Sequence, residues 1–257
     1  MAELILPEWP APPRVNSLMT TRSGGVSEGP YSSFNLGDHV GDDPAAVAEN
    51  RARLRAYAPE EPCWLKQVHG AVVVEADKVS GVPEADAAMT RKPGTACAVL
   101  TADCLPVLFC DRQGSVVAAA HAGWRGLAGG VLEVAVAAMA VPASEVMAWM
   151  GAAIGPQAFE VGDEVRQAFV RQHPQAASAF APRDQKWLAD IYQLARIRLA
   201  QVGVNAVYGG SFCTWSESQR FYSFRRDGKT GRMASLIWID RGQGSGKPQP
   251  SRSTPES

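Results

Sequence analysis

The sequence is poor in the residues on which metal-rich and disulfide-rich proteins depend. Among 257 residues there are four histidines (His39, His69, His121 and His173) and five cysteines (Cys63, Cys97, Cys104, Cys110 and Cys213). The cysteine count is odd and no pair stands in C-x-x-C spacing, which argues against both a zinc ribbon and a disulfide framework. Four imidazoles exclude several imidazole-rich metal centres, although His and Cys together suffice for one small site. Net charge is lacking too. Lys+Arg total 25 and Asp+Glu 26, a formal −1, so no general attraction draws the chain to nucleic acid or to an anionic membrane. No apolar run reaches membrane-spanning length. The N-terminal MAELILPEWPAPPRV carries four prolines and no basic stretch, unlike a secretory signal. The expectation is a soluble, cytoplasmic protein with reduced thiols.

What is present is apolar bulk, 46% hydrophobic residues, enough for a sizeable core. One domain over residues 12–240 accounts for it, with no internal repeat. Residues 241–257, RGQGSGKPQPSRSTPES, contain no apolar side chain larger than proline and are expected to be a disordered tail. Its Arg241, Lys247, Arg252 and Glu256 sum to +2, leaving the body at −1 − 2 = −3.

Short, bounded apolar runs predict strands over 15–21, 63–68, 71–75, 97–100, 105–110, 116–121, 146–154, 206–208 and 234–239. Helices are predicted over 43–56, with Asp43 as cap and Pro44 at the first helical position, and over 127–140 and 163–172. Leu188, Ile191, Ala195, Leu199 and Val202 trace one apolar helix face that Gly203 can end. A hairpin is predicted around residues 227–231. Strands and helices interleave without βαβ periodicity, so the fold class is α/β or α+β: a single-domain sandwich of β-sheet layers flanked by helices.

Three segments place reactive side chains at strand ends: Lys66-Gln67-Val68-His69-Gly70, Thr101-Ala102-Asp103-Cys104, and His121-Ala122-Gly123-Trp124-Arg125-Gly126. A sheet fixes such residues while the adjoining loop leaves them accessible. Two imidazoles and a thiolate, His69, Cys104 and His121, are a sufficient ligand set for catalytic zinc. Taken singly, each has a plainer reading: Cys104 as a small buried hydrophobe beside Leu105 and Val107, each His as a hydrogen-bonded structural residue. Gly123 and Gly126 let backbone approach a ligand at a helix start, making an anion site there with Arg125, or simply an ordinary turn. Asp103 and Cys104 face one pocket only if TADC is a turn, which Pro106 favours; Asp103 is then a proton donor or acceptor, or a turn cap. The loop over residues 20–37 offers Arg22 and Asn35 to a polar ligand, phosphate or sugar hydroxyl, against the reading of Arg22 as a surface ion pair. His39 shapes the turn before the first helix, and the run over 221–228 offers an aromatic wall and a second cation.

Five segments in this order, TTRSGGVSEGPYSSFNLGDHVGDDP, WLKQVHG, TADCLPVLF, HAGWRG and FYSFRRDGKTGR, resemble the multi-copper polyphenol oxidoreductases, or laccase-domain proteins. Bacterial members are also called peptidoglycan editing factors and purine nucleoside phosphorylases. The resemblance runs from Val15 to Ile239. It implies a compact sandwich and one zinc ion on His69, Cys104 and His121. It also implies phosphorolysis of adenosine, inosine or methylthioadenosine to free base and ribose 1-phosphate, with adenosine deamination beside it. In the deamination, zinc would activate a water for attack on the purine C6 and Asp103 would shuttle the proton. In the phosphorolysis, Arg22, Asn35, Gly123 and Arg125 are the candidates for holding substrate. Other readings use the same residues. Cys104 as nucleophile with His121 as base would hydrolyse an amide, such as that of a wrongly incorporated serine in a peptidoglycan precursor. Copper on the same set would make a polyphenol oxidase, for which four histidines are few. A non-catalytic binding module would use the metal structurally, which ordinarily takes four protein ligands where the motifs supply three.

Overall fold

The central apolar runs become strands buried on both faces. The computed structural model describes residues 2–58 and 61–242; the expected tail, apart from Arg241 and Gly242, lies outside them. In chain order the strands are β1 (Leu4–Ile5), β2 (Val15–Thr20), β3 (Val73–Glu75), β4 (Ala87–Thr90), β5 (Ala96–Thr101), β6 (Leu105–Asp111), β7 (Val117–Ala122), β8 (Val146–Met150), β9 (Glu160–Val161), β10 (Phe180–Arg183), β11 (Lys186–Ala189), β12 (Ala206–Gly209) and β13 (Met233–Ile239). The helices are α1 (Pro44–Leu54), α2 (Trp124–Ala128), α3 (Val131–Ala138), α4 (Asp163–Val170), α5 (Ile191–Gln201) and α6 (Phe224–Asp227).

Two sheets are stacked, β1-β2-β13-β5 and β12-β8-β6-β7-β4-β3, with a small third sheet, β10-β11-β9, at the side. The two-residue side-chain period of a strand sorts the core into layers. Leu108 and Cys110 of β6 meet Cys97, Val99 and Ile237 between the sheets. Leu105, Val107 and Phe109 of the same strand face Leu132, Ala135, Leu194 and Leu199 of α3 and α5. On the far side of the other sheet, Leu18, Leu236 and Trp238 pack under Leu54 of α1 and Trp64. This is a single-domain α+β sandwich with helices outside both sheets. Covering both faces explains why the strands read as continuous apolar runs instead of alternating ones.

Several boundaries differ from expectation. The predicted helix over 127–140 is two helices, because Gly130 has a φ of +92° and breaks the run between α2 and α3. Residues 63–68 form isolated bridges, Cys63 to Cys97 and Lys66 to Glu84, in place of a strand. The Gln67 side chain substitutes for the missing ladder, accepting from Leu100 N at 2.7 Å and donating to Leu100 O at 2.8 Å. No hairpin forms around 227–231: Ser223 caps the short α6, and β13 then pairs with β2 and β5. The strand predicted over 146–154 ends at Met150. Strands β4 and β9 to β11 were not expected, since AAMT and two- to four-residue strands carry little β signal.

The topology gathers one end of the six-stranded sheet. Antiparallel β6 and β7 place Pro106 opposite His121, so Cys104, just before β6, lies beside the end of β7. TADC is a turn, with β5 ending at Thr101, β6 starting at Leu105 and Asp103 at a φ of +89°.

Candidate metal centre and the cavities beside it

His69, Cys104 and His121 come together with their ligand atoms all within 4.8 Å of one another. The two imidazoles meet edge to face, 4.8 Å between centroids. His121 is buried on β7, Cys104 is half-buried at the turn, and His69 is exposed on the loop before β3.

A residue the sequence did not single out, Asp86, holds this arrangement. Its fully buried carboxylate accepts from Val68 N, His69 N and Gly70 N at 3.2, 2.9 and 2.6 Å, and pairs with His121 Nδ1 at 2.8 Å. One side chain thus fixes the His69 loop, where His69 sits at a φ of +59°, and orients the His121 ring with Nε2 left for a ligand. Burial opposes the charged form of Asp86, but the His121 and backbone hydrogen bonds outweigh it and hold the carboxyl below its ordinary range. The only sequence signal was an aspartate among alanines in EADAAMT.

Gly123, expected beside a ligand, lies against the centre. A Cβ there would stand 2.7 Å from His69 Nδ1 and 3.0 Å from Cys104 Sγ, closer than a carbon can sit. Gly126 packs as tightly, its would-be Cβ 2.8 Å from Gly70 O, which seats α2 on the His69 loop.

The electrostatics concentrate on the thiol. Burial raises the Cys104 pKa, yet His121 and His69 overcome this and bring it down to about 6. His121 is raised in turn: desolvation works against its charge, while Cys104 and Asp86 favour it. Cys63, Cys97 and Cys110 are instead pushed up by burial. In metal-free protein, alkylation of Cys104 by iodoacetamide should therefore rise through a midpoint near pH 6, with these three silent. Residue-resolved mass spectrometry over a pH series checks it; a midpoint in the ordinary thiol range contradicts the coupling.

Cys104 lies in the wall between two cavities. The polar one, about 310 Å³, is lined by His39, Gln67, His69, Cys104, His121 and Arg232 among others. The apolar one, about 130 Å³, is lined by Asp103, Cys104, Trp124, Ile154, Phe159 and Phe224 among others. Phe224 borders both and is 57% exposed, which matches part of the aromatic wall read from residues 221–228; Phe221 and Tyr222 are core. His39, read as only shaping a turn, lines the polar cavity.

The remaining candidates sit elsewhere or are engaged. Asp103 reaches the apolar cavity, but its oxygens accept from Thr214 Oγ1 at 2.6 Å and from Arg225 N at 2.7 Å, tying down α6. Arg22 spends its guanidinium on Ser32 O and Ser218 O and stacks on Tyr222. Asn35 is fully buried. Its amide bridges Gly37 and Asp42, and its Oδ1 also accepts from Arg232 N. Arg125 is exposed over Trp124 and lines neither cavity.

Fold and site together define a single-domain α+β sandwich with a His-Cys-His candidate metal centre at its strand ends. The chain belongs to the multi-copper polyphenol oxidoreductase laccase family, whose model matches residues 16–240. It is 60% identical to a protein named purine nucleoside phosphorylase from Pseudomonas aeruginosa, over 91% of this chain and 98% of that one. An Escherichia coli protein of the same name is 55% identical over 93% of this chain and all of its own length. Among solved structures, a Neisseria meningitidis protein matches with a TM-score of 0.89 at 54% identity, covering 92% of this chain and 99% of that chain. The Geobacillus stearothermophilus protein YlmD matches at 0.82 and 32%, covering 89% and 93%.

Proposed function

We propose that the protein is a zinc-dependent purine nucleoside phosphorylase that cleaves adenosine or inosine with phosphate to free base and ribose 1-phosphate, with adenosine deamination as a companion reaction. The observation that carries this reading is the His69, Cys104 and His121 cluster, set between a polar and an apolar cavity. The names of its close relatives point the same way.

The donor set fits zinc. Two imidazoles and a thiolate match three of four tetrahedral positions, Asp86 orients one imidazole, and Gly123 leaves the space beside the other open. When bound, zinc would supply Lewis-acid chemistry at the junction of the two cavities. The protein's own residues bind and orient. Trp124, Phe159 and Phe224 offer an apolar, aromatic enclosure suited to the flat face of a purine. Asp103, through Thr214 and Arg225, holds Phe224 and its helix against that cavity. The reducing cytoplasm suits a centre that depends on a free thiol, and all five cysteines are free. Among the described residues no helix is long and apolar enough to cross a membrane.

Elemental analysis of purified protein, with adenosine and inosine turnover at several phosphate concentrations, tests the reading. One zinc per chain and phosphate-dependent release of ribose 1-phosphate are expected; phosphate-independent release of ribose, or no turnover, overturns it. The depressed Cys104 thiol beside His121 also suits a thiol nucleophile acting on an amide. Chelation separates the two, since amide hydrolysis by the thiol survives metal removal and zinc-dependent phosphorolysis does not.

A further inference from the structure

Arg232 is a cation that forms no ion pair among the described residues, at the wall of the polar cavity. Its Nη1 donates to Thr230 O and Gly231 O, both at 3.0 Å. No partner within the described residues takes its Nε or Nη2, and it forms no ion pair there, in contrast to Arg226, which pairs with Asp227. The residue is held in place through its backbone and its stem. Asn35 Oδ1 accepts from Arg232 N at 2.8 Å, and Leu36 N donates to Arg232 O at 3.2 Å. The stem lies over Gly37, where a Cβ would stand 2.8 Å from Arg232 Cγ. The guanidinium carbon stands 5.9 Å from the Phe224 ring centroid. Burial weakens the charged state of Arg232, whereas nearby Cys104 and Asp103 favour it. A guanidinium is nonetheless always protonated at neutral pH, so a fixed positive charge is presented to the cavity.

We propose that Arg232 binds the phosphate that attacks the nucleoside, so that the oxyanion occupies the polar cavity and the purine departs on the apolar side of Phe224. This rests on the phosphorolysis reading above and assigns its anion subsite. A guanidinium whose Nε and Nη2 donors are free presents one bidentate edge to a tetrahedral oxyanion, binding it through charge-assisted hydrogen bonds. In the reaction a phosphate oxygen bonds to C1′ of the ribose while the C1′–N9 bond breaks. The bonding electron pair goes to N9, and the proton carried by monohydrogen phosphate ends on the base. A phosphate in the polar cavity and a base in the apolar one would approach C1′ from opposite sides, as displacement requires. Asn35 and Gly37 are then positioning residues, which explains a buried, saturated Asn35 in a loop that reads as a ligand holder.

The test compares wild type, R232Q and R232K as purified with metal. The phosphate KM should rise about 10- to 100-fold in R232Q, the loss expected for charged hydrogen bonds, with the nucleoside KM and metal content unchanged. R232K keeps the stem and the charge and is expected to fall between. Should R232Q melt early, R232K alone carries the kinetic comparison. Equilibrium binding of inorganic phosphate, followed by calorimetry, is measured in parallel and needs no turnover. If wild type binds phosphate through Arg232 yet cleaves no nucleoside, the activity reading fails and the subsite stands. Unchanged phosphate KM and phosphate binding in R232Q, or no phosphate binding by wild type, overturns the subsite.

Discussion

Replacing Cys104 by serine is expected to remove bound metal and turnover together, with a loss in kcat/KM beyond the roughly 10- to 100-fold that outer partners of metal ligands cost. The thiol is the one anionic donor of the set, and it sits within 4.8 Å of both imidazoles. A serine hydroxyl at the same place remains protonated at neutral pH and is a poor zinc ligand. The fold should survive, because Cys104 is half-buried in a turn and contributes little apolar packing. Elemental analysis, turnover and a thermal melt on one preparation separate the outcomes. Metal retained at wild-type level with activity lost would shift Cys104 from ligand to nucleophile. Metal and activity both retained would remove it from the centre.

Replacing Asp86 by asparagine should lower metal affinity by roughly 10- to 100-fold and lower stability as well. The carboxylate accepts from three backbone N–H groups and from His121 Nδ1. An amide has one acceptor oxygen, so at least one buried donor loses its partner, at about 1–3 kcal/mol. Its pH dependence has a definite sign. A carboxyl whose folded pKa lies below its unfolded value stabilises above the unfolded value and loses that contribution as pH falls through the folded one. The variant lacks the contribution at every pH. The gap in melting temperature between wild type and D86N, measured on metal-free protein, should therefore be widest near neutrality and close on acidification below the ordinary Asp range of about 4. A gap that does not change with pH contradicts the charged role.

Much of the candidate metal cluster was legible in the sequence because it is built from rare residue types. With four histidines and five cysteines in the chain, those at strand ends stand out, and the apolar runs around them are long enough to assign. Asp86 and Arg232 escaped for different reasons. Asp86 stands just before β4, the short AAMT strand, whose burial comes from its neighbours and not from its own β propensity. Arg232 was hidden by the expected hairpin; the α6 that replaces it is held by Asp103, far away in sequence. In the polar loop over residues 20–37, Arg22 and Asn35 have partners within the protein. Residue type does not tell an arginine that faces a ligand from one, like Arg22, that binds backbone carbonyls. The single helix expected over 127–140 failed at Gly130, where left-handed backbone favours an interruption over a continuous apolar face.

The place of β13 in its sheet bears on how the molecule is made. β5, which leads directly into the TADC turn, stands at the edge of the four-stranded sheet with β13 as its neighbour there. On the ribosome, β5 therefore waits for residues 233–239 before its ladder can close, a pairing of long sequence separation and hence slow to form. His69, Cys104 and His121 are all translated before that strand exists. The nascent chain thus carries the three candidate ligands before the sheet that leads into their turn can close.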